Sequence, residues 1–177
     1  MSTASEDFIV IFPKTKANVV LEKVEKINSN LNWSFSSNNE TYWLEEPESF
    51  ESQLSGEYRI NSDSDLESFL SMLKKHNSGG VISVKSNEYD VSVLMSLVSI
   101  DDLFLSALIF YVDSNLYDFH ENIIVQLILE LCNELEYSTL LKGSELQDDW
   151  DEEPLIEAVH NGELEPYQKF IWHPKAD

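Results

Sequence analysis

Apolar residues recur along this chain with two periods. Phe8–Phe12 is an unbroken apolar run closed by Pro13, and it reads as a short buried strand. Over Ala17–Leu31, Val20, Val24, Ile27 and Leu31 fall at helical spacing, with Glu22, Lys23, Glu25 and Lys26 mostly opposite, which predicts an amphipathic helix. Asn32–Phe35 and Thr41–Leu44 look strand-like around a polar turn at Ser36–Asn39, and Glu45–Glu57 reads as an exposed acidic loop. Leu66–Lys75 predicts a second helix. Its apolar stripe is Leu66, Phe69, Leu70 and Leu73, Ser64 with Glu67 forms a capping-box pattern, and Gly79-Gly80 stops it.

Three strands follow. Val81–Lys85 is the first. Tyr89–Val98 alternates, with Tyr89, Val91, Val93, Met95 and Leu97 on one face. Asp101-Asp102 marks a turn, and Leu103–Val112 is apolar on both faces, as a central strand would be. Short connections make these an antiparallel meander. Asp118 is placed to cap a helix starting near Phe119, and Glu121–Leu141 is apolar nearly all round up to Gly143. Pro154–His160 reads as a short helix and Tyr167–Trp172 as a last extended segment. These elements predict a single acidic α+β domain over residues 1–177, mainly antiparallel sheet with helices packed mostly on one face.

Charge changes the picture most. The 177 residues carry 33 Asp and Glu against 11 Lys and Arg, a net charge of −22, and Arg59 is the single arginine. A nucleic-acid binder needs a basic face to neutralise phosphates, so direct nucleic-acid binding is not expected. Cys132 is the only cysteine, which excludes an intramolecular disulfide or a four-cysteine zinc site. The N-terminus has no basic segment leading into a long apolar one, so a cytoplasmic protein is expected. Val91–Val112 is long enough to suggest a membrane span, but Asp101 and Asp102 sit near its middle. Each would cost about 2.5–3.5 kcal/mol at a helix centre, so no membrane association is expected.

Candidate chemistry is sparse. The five glycines form no phosphate-cradling loop. Asn61-Ser62-Asp63-Ser64-Asp65 resembles the start of a calcium loop, but Leu66 replaces the turn glycine and Met72 the final glutamate, so helix capping explains it better. His76, His120, His160 and His173 have no metal-binding spacing, and Cys132 lies on an apolar helix with few cations to activate it. The expectation is a protein that is not an enzyme and has neither metal nor cofactor.

The acid is concentrated. Residues 40–70 hold nine acids against Arg59, and residues 145–165 hold nine acids and no base. Aromatics lie among them. The candidate partner-binding residues are therefore Trp43, Glu45, Glu46 and Glu48, and Asp148, Asp149, Trp150, Asp151, Glu152 and Glu153. Carboxylates around an aromatic anchor suit a basic protein surface, raising association rate and rejecting wrong partners. In size, acidity and order of elements the chain resembles the bacterial toxin-immunity proteins, such as those of contact-dependent growth inhibition and other polymorphic toxin systems. The resemblance implies a basic partner, a cognate nuclease toxin domain, neutralised by carboxylates that stand in for phosphates. Two other classes stay open. One is a DNA mimic of the anti-restriction type, with carboxylates spread at phosphate-like spacing. The other is a non-catalytic adaptor or structural subunit with an exposed apolar patch on Val91–Val112 or Glu121–Leu141.

Reversing charge at Asp148, Asp149 and Asp151 to Lys is expected to abolish binding to a basic partner while the fold survives. Unchanged affinity in a titration of the triple variant removes that cluster from the interface.

Overall fold

The computed structural model describes residues 4–36, 41–44, 56–77, 79–144, 152–163 and 165–173. In chain order the elements are β1 (Ser5–Thr15), α1 (Ala17–Leu31), β2 (Trp33–Phe35), β3 (Thr41–Leu44), β4 (Gly56–Arg59) and α2 (Asp63–Lys75). They continue with β5 (Gly79–Ser86), β6 (Ser92–Ser99), β7 (Leu105–Asp113), α3 (Ser114–Glu134), β8 (Thr139–Ser144) and α4 (Glu152–His160), and end in a 3-10 helix at Glu165–Phe170. The fold is α+β. One antiparallel sheet runs β4-β3-β5-β6-β7-β1-β8, and β2 shares the outer edge of β5 with β3.

The predicted apolar run lies at the centre. β1 pairs with β7 on one side and β8 on the other. Its alternate residues divide between two cores: Phe8, Val10 and Phe12 face α1, α2 and α3, while Ile9 and Ile11 face Ile156 and Val159 of α4. β7 divides in the same way, with Leu108, Phe110 and Val112 on the three-helix side and Ala107 and Ile109 on the other. The strand extends past Pro13, contrary to the expected stop. Proline is tolerated there because the β8 ladder has already ended at Ile11 and the β7 pairing is irregular between Ile11 and Thr15.

The β5-β6-β7 meander forms as expected, and its Asp101-Asp102 turn is tightly bound. Ser99 Oγ donates to the Phe104 carbonyl at 2.7 Å and accepts from the Asp102 N–H at 2.9 Å. Asp101 accepts from the N–H groups of Leu103 and Phe104 and pairs with Lys14 at 2.7 Å. Burial pushes the Asp101 carboxyl up, but Lys14 and the two N–H groups outweigh it and hold it below the ordinary range. Its contribution to stability is therefore complete above that range and is lost as pH falls through the lowered value.

Four expectations are corrected. The N-cap of α2 is Ser62, which accepts from the Asp65 N–H at 3.2 Å, rather than Ser64. Gly56 and Glu57, read as the end of the Glu45–Glu57 loop, belong to β4, which pairs with β3. The α3 helix begins at Ser114, capped by Asp113 Oδ1, and ends at Glu134 rather than Leu141. Glu136 takes the left-handed conformation (φ 55°) that glycine usually supplies at a helix end. Ser138 then donates from both N–H and Oγ to the Ile11 carbonyl, and residues 139–144 add to β1 as β8. The last segment is a 3-10 helix, and only Ile171 bridges in an extended way, to Leu141.

Ile156→Ala is expected to lower unfolding free energy by about 2–5 kcal/mol, because the side chain is fully buried under the second face. Leu103→Ala, in an exposed turn, is expected to change it by less than about 0.5 kcal/mol. Urea denaturation distinguishes the two.

Candidate interaction surface

One end of the sheet gathers the residues best placed for recognition. The strand ends Ser5, Trp33, Ser86, Ser92, Asp113 and Ser144 share it, with the C-terminus of α1 and the N-terminus of α3. The β5–β6 loop is clamped there. Ser86 Oγ accepts from the N–H groups of Glu88 and Tyr89 at 3.2 and 3.1 Å, and the Val91 N–H donates to the Tyr89 carbonyl at 2.9 Å. This closure lifts Tyr89 out of the alternating pattern, and its side chain is 50% exposed rather than on the core face.

Across from it, α3 breaks at His120 (φ −126°, ψ 25°), the residue whose ring packs on Tyr89 at 5.9 Å. The break leaves Phe119 85% exposed, the most exposed large hydrophobic side chain among the described residues. Tyr89 and residues 118–123 line a recess of about 310 Å³. The chain segments that form it read Glu88-Tyr89-Asp90 and Asp118-Phe119-His120-Glu121, aromatics between carboxylates with no Lys or Arg among them.

Part of the positive charge elsewhere is engaged. Lys14, Lys26 and Lys74 pair with Asp101, Glu134 and Glu25 at 2.7, 2.8 and 2.9 Å. Lys142 Nζ stands 4.8 Å from the Tyr117 ring, 5.1 Å from Trp172 and 5.8 Å from Phe8. Burial raises the Tyr117 phenol above its ordinary value, against the pull of Lys142, and its hydroxyl lies 3.4 Å from Glu121.

On the other side of the same loop, side-chain amides tie it to the α1–β2 turn. Asn32 Nδ2 donates to Glu88 at 2.8 Å, Asn87 Nδ2 to Asn32 Oδ1 at 3.2 Å, and Ser34 Oγ to Asn87 Oδ1 at 2.9 Å. Asn32 itself is left-handed (φ 61°) and closes α1 by donating its N–H to the Asn28 carbonyl.

The expected site residues are placed as follows. Trp43 lies in β3, in register with Val81 and Glu57, and Glu152 and Glu153 begin α4. Glu45, Glu46, Glu48, Asp148, Asp149, Trp150 and Asp151 lie outside the described residues. Their anchoring strand ends are far apart. The first stretch leaves at Leu44, beside Gly80 near the β4 edge, and the second leaves at Ser144, on the β8 edge and at the opposite strand end. Sequence reasoning missed Tyr89 and Phe119, although they carry the same acid-flanked aromatic signal. It assigned them instead to strand periodicity and to a helix start.

Cys132 is buried on the inner face of α3, and burial pushes its thiol up to about 12. Among the described residues no group of three or more His, Cys, Asp or Glu side chains is arranged to hold a metal ion. No described helix is long and apolar enough to cross a membrane.

No family model matches this chain, and no curated protein does. Among solved structures it is similar to the Pseudomonas aeruginosa T6SS protein PA0821, at 12% identity and a TM-score of 0.42. The similarity covers 80% of this chain, which spans about 40% of that protein's length.

A thiol reagent at neutral pH is expected to label native Cys132 no faster than the protein opens, and denaturant is expected to restore ordinary thiol reactivity. Phe119→Ala is expected to leave stability within about 0.5 kcal/mol in the same denaturation assay, because the ring is almost wholly in solvent.

Proposed function

We propose that this chain is a non-catalytic immunity-type protein that binds and neutralises a basic toxin domain, one acting as a nuclease. The observation that carries the reading is the sheet end where Phe119 and Tyr89 stand exposed among Glu88, Asp90, Asp118 and Glu121. An exposed phenylalanine offers about 1.5–3 kcal/mol on burial against a partner. Surrounding carboxylates select a basic partner surface and speed its approach. A net charge of −22 on 20.4 kDa exceeds what solubility asks for and strains the fold by self-repulsion, which a basic partner relieves. The buried, protonated Cys132 offers no nucleophile, which favours binding over catalysis.

The test is a low-salt pull-down of the tagged protein from its native host, with mass spectrometry and sequencing of the adjacent open reading frame. The expected result is one basic protein at a one-to-one ratio, encoded next door, whose toxicity is relieved by co-expression. Its association rate is expected to fall steeply as the Debye length shrinks from about 30 Å at 0.01 M salt to about 8 Å at 0.15 M. Phe119→Ala is expected to weaken the complex by about tenfold or more. Recovery of several unrelated DNA-binding proteins makes the chain a DNA mimic instead. No basic protein, with a homodimer by light scattering, overturns the reading in favour of a structural subunit.

A further inference from the structure

Beside the β5–β6 loop, on the side away from Phe119, lies a groove of about 350 Å³ between the end of α1 and strand β2. Its wall holds an unpaired group. Asn28 is 3% exposed, and neither its Nδ2 nor its Oδ1 has a hydrogen-bond partner. Buried side-chain amides are satisfied as a rule, so an orphaned donor and acceptor on one groove wall mark a place where a ligand relieves a desolvation cost. The neighbouring Asn32 and Asn87 differ, since they bond to each other and to Glu88 and Ser34.

The opposite wall is strand β2, whose buried Trp33 and Phe35 lie at its edge away from β5. The Asn87 N–H donates to Asn32 and the Ser36 N–H to Ser83, both at 3.0 Å, which fixes the alternation of β2 against β5. Even-numbered residues of β2 bond inward, so Trp33 and Phe35 direct their N–H and C=O groups away from β5, along the groove. Among the described residues no strand pairs with that edge.

We infer that this groove is a docking slot for an extended polypeptide segment of a basic partner. The segment adds to β2 as a further strand, through Trp33 and Phe35, and pairs one main-chain amide reciprocally with the Asn28 carboxamide. A peptide amide has one donor and one acceptor, as the orphaned side chain requires. A strand edge offers a ladder that only another main chain uses fully. A second copy of this chain is disfavoured by its own charge of −22. Glu88 at the loop and the net charge of −22 favour Lys or Arg side chains in the segment, whereas Glu25 on the wall is already paired with Lys74. The inference rests on the proposed function only for the sign of the partner's charge.

The test is a phage-displayed library of short linear peptides panned on the full chain, with the enriched peptides then made synthetically. Lys- or Arg-containing peptides are expected to bind and to slow amide hydrogen exchange at Trp33 and Phe35 by about tenfold or more. Asn28→Leu is expected to weaken them by about tenfold, while Leu103→Ala, in the exposed turn at the opposite end of the sheet, leaves them unchanged. The exchange measurement needs no variant, so it decides the matter even where Asn28→Leu fails to fold. No enriched peptide, or peptides that leave exchange at Trp33 and Phe35 unchanged, overturns the slot. Peptide binding here without any basic protein in the pull-down keeps the slot and removes the toxin reading; a captured toxin whose affinity ignores Asn28→Leu does the reverse.

Discussion

Strand β1 is apolar at every position from Phe8 to Phe12, so it has no face that water can wet. An apolar run of this kind is stable only when both faces are covered and both edges are paired. The rest of the architecture meets that demand. β7 and β8 supply the two edges, the three helices α1 to α3 cover one face, and α4 with the residues around Ile171 covers the other. The chain's first strand is thus held by some of its last residues. That closure is non-local, and its loop entropy must be overcome before the contacts reward it.

The same division of labour separates stability from recognition. Burial across the two cores carries the fold, while the cations contribute little of their own, since exposed ion pairs such as Lys26–Glu134 are each worth about 0–1 kcal/mol. Each pair cancels one carboxylate against one ammonium and leaves the net charge of −22 unchanged. Lys142 is held among Phe8, Tyr117 and Trp172. A fold that tolerates this much like charge relies on its apolar interior and leaves its electrostatics free for association.

Both recognition features flank one loop. Ser86 holds the β5–β6 turn from within, His120 and Phe119 lie on one side, and the amides of Asn32 and Asn87 lie on the other. The proposed partner would meet at this end of the sheet an aromatic anchor in an acidic setting and, across the loop, a strand edge that is unpaired among the described residues. The anchor gives area and charge selection; the edge gives register.

Local pattern was sufficient where neighbours in sequence decide the outcome. The α1 helix occupies Ala17–Leu31 as its periodicity predicts, and the β5-β6-β7 meander follows from alternation and the Asp101-Asp102 turn. The acidic–aromatic character of the chain is also written in composition. Local pattern failed where distant residues compete. Leu140 and Leu141 suit a helix as well as a strand, and only Ile11 and its neighbours, more than a hundred residues earlier, draw them into β8. Glu136 ends α3 without the glycine that would have signalled it. Tyr89 continues a strand alternation in sequence, but the Ser86 clamp and the His120 ring place it at the surface. The sequence determined the periodic elements and the charge, because those depend on residue type and spacing. Tertiary structure decided which strands pair, where α3 stops and which aromatics reach solvent, because those depend on contacts that no local window contains.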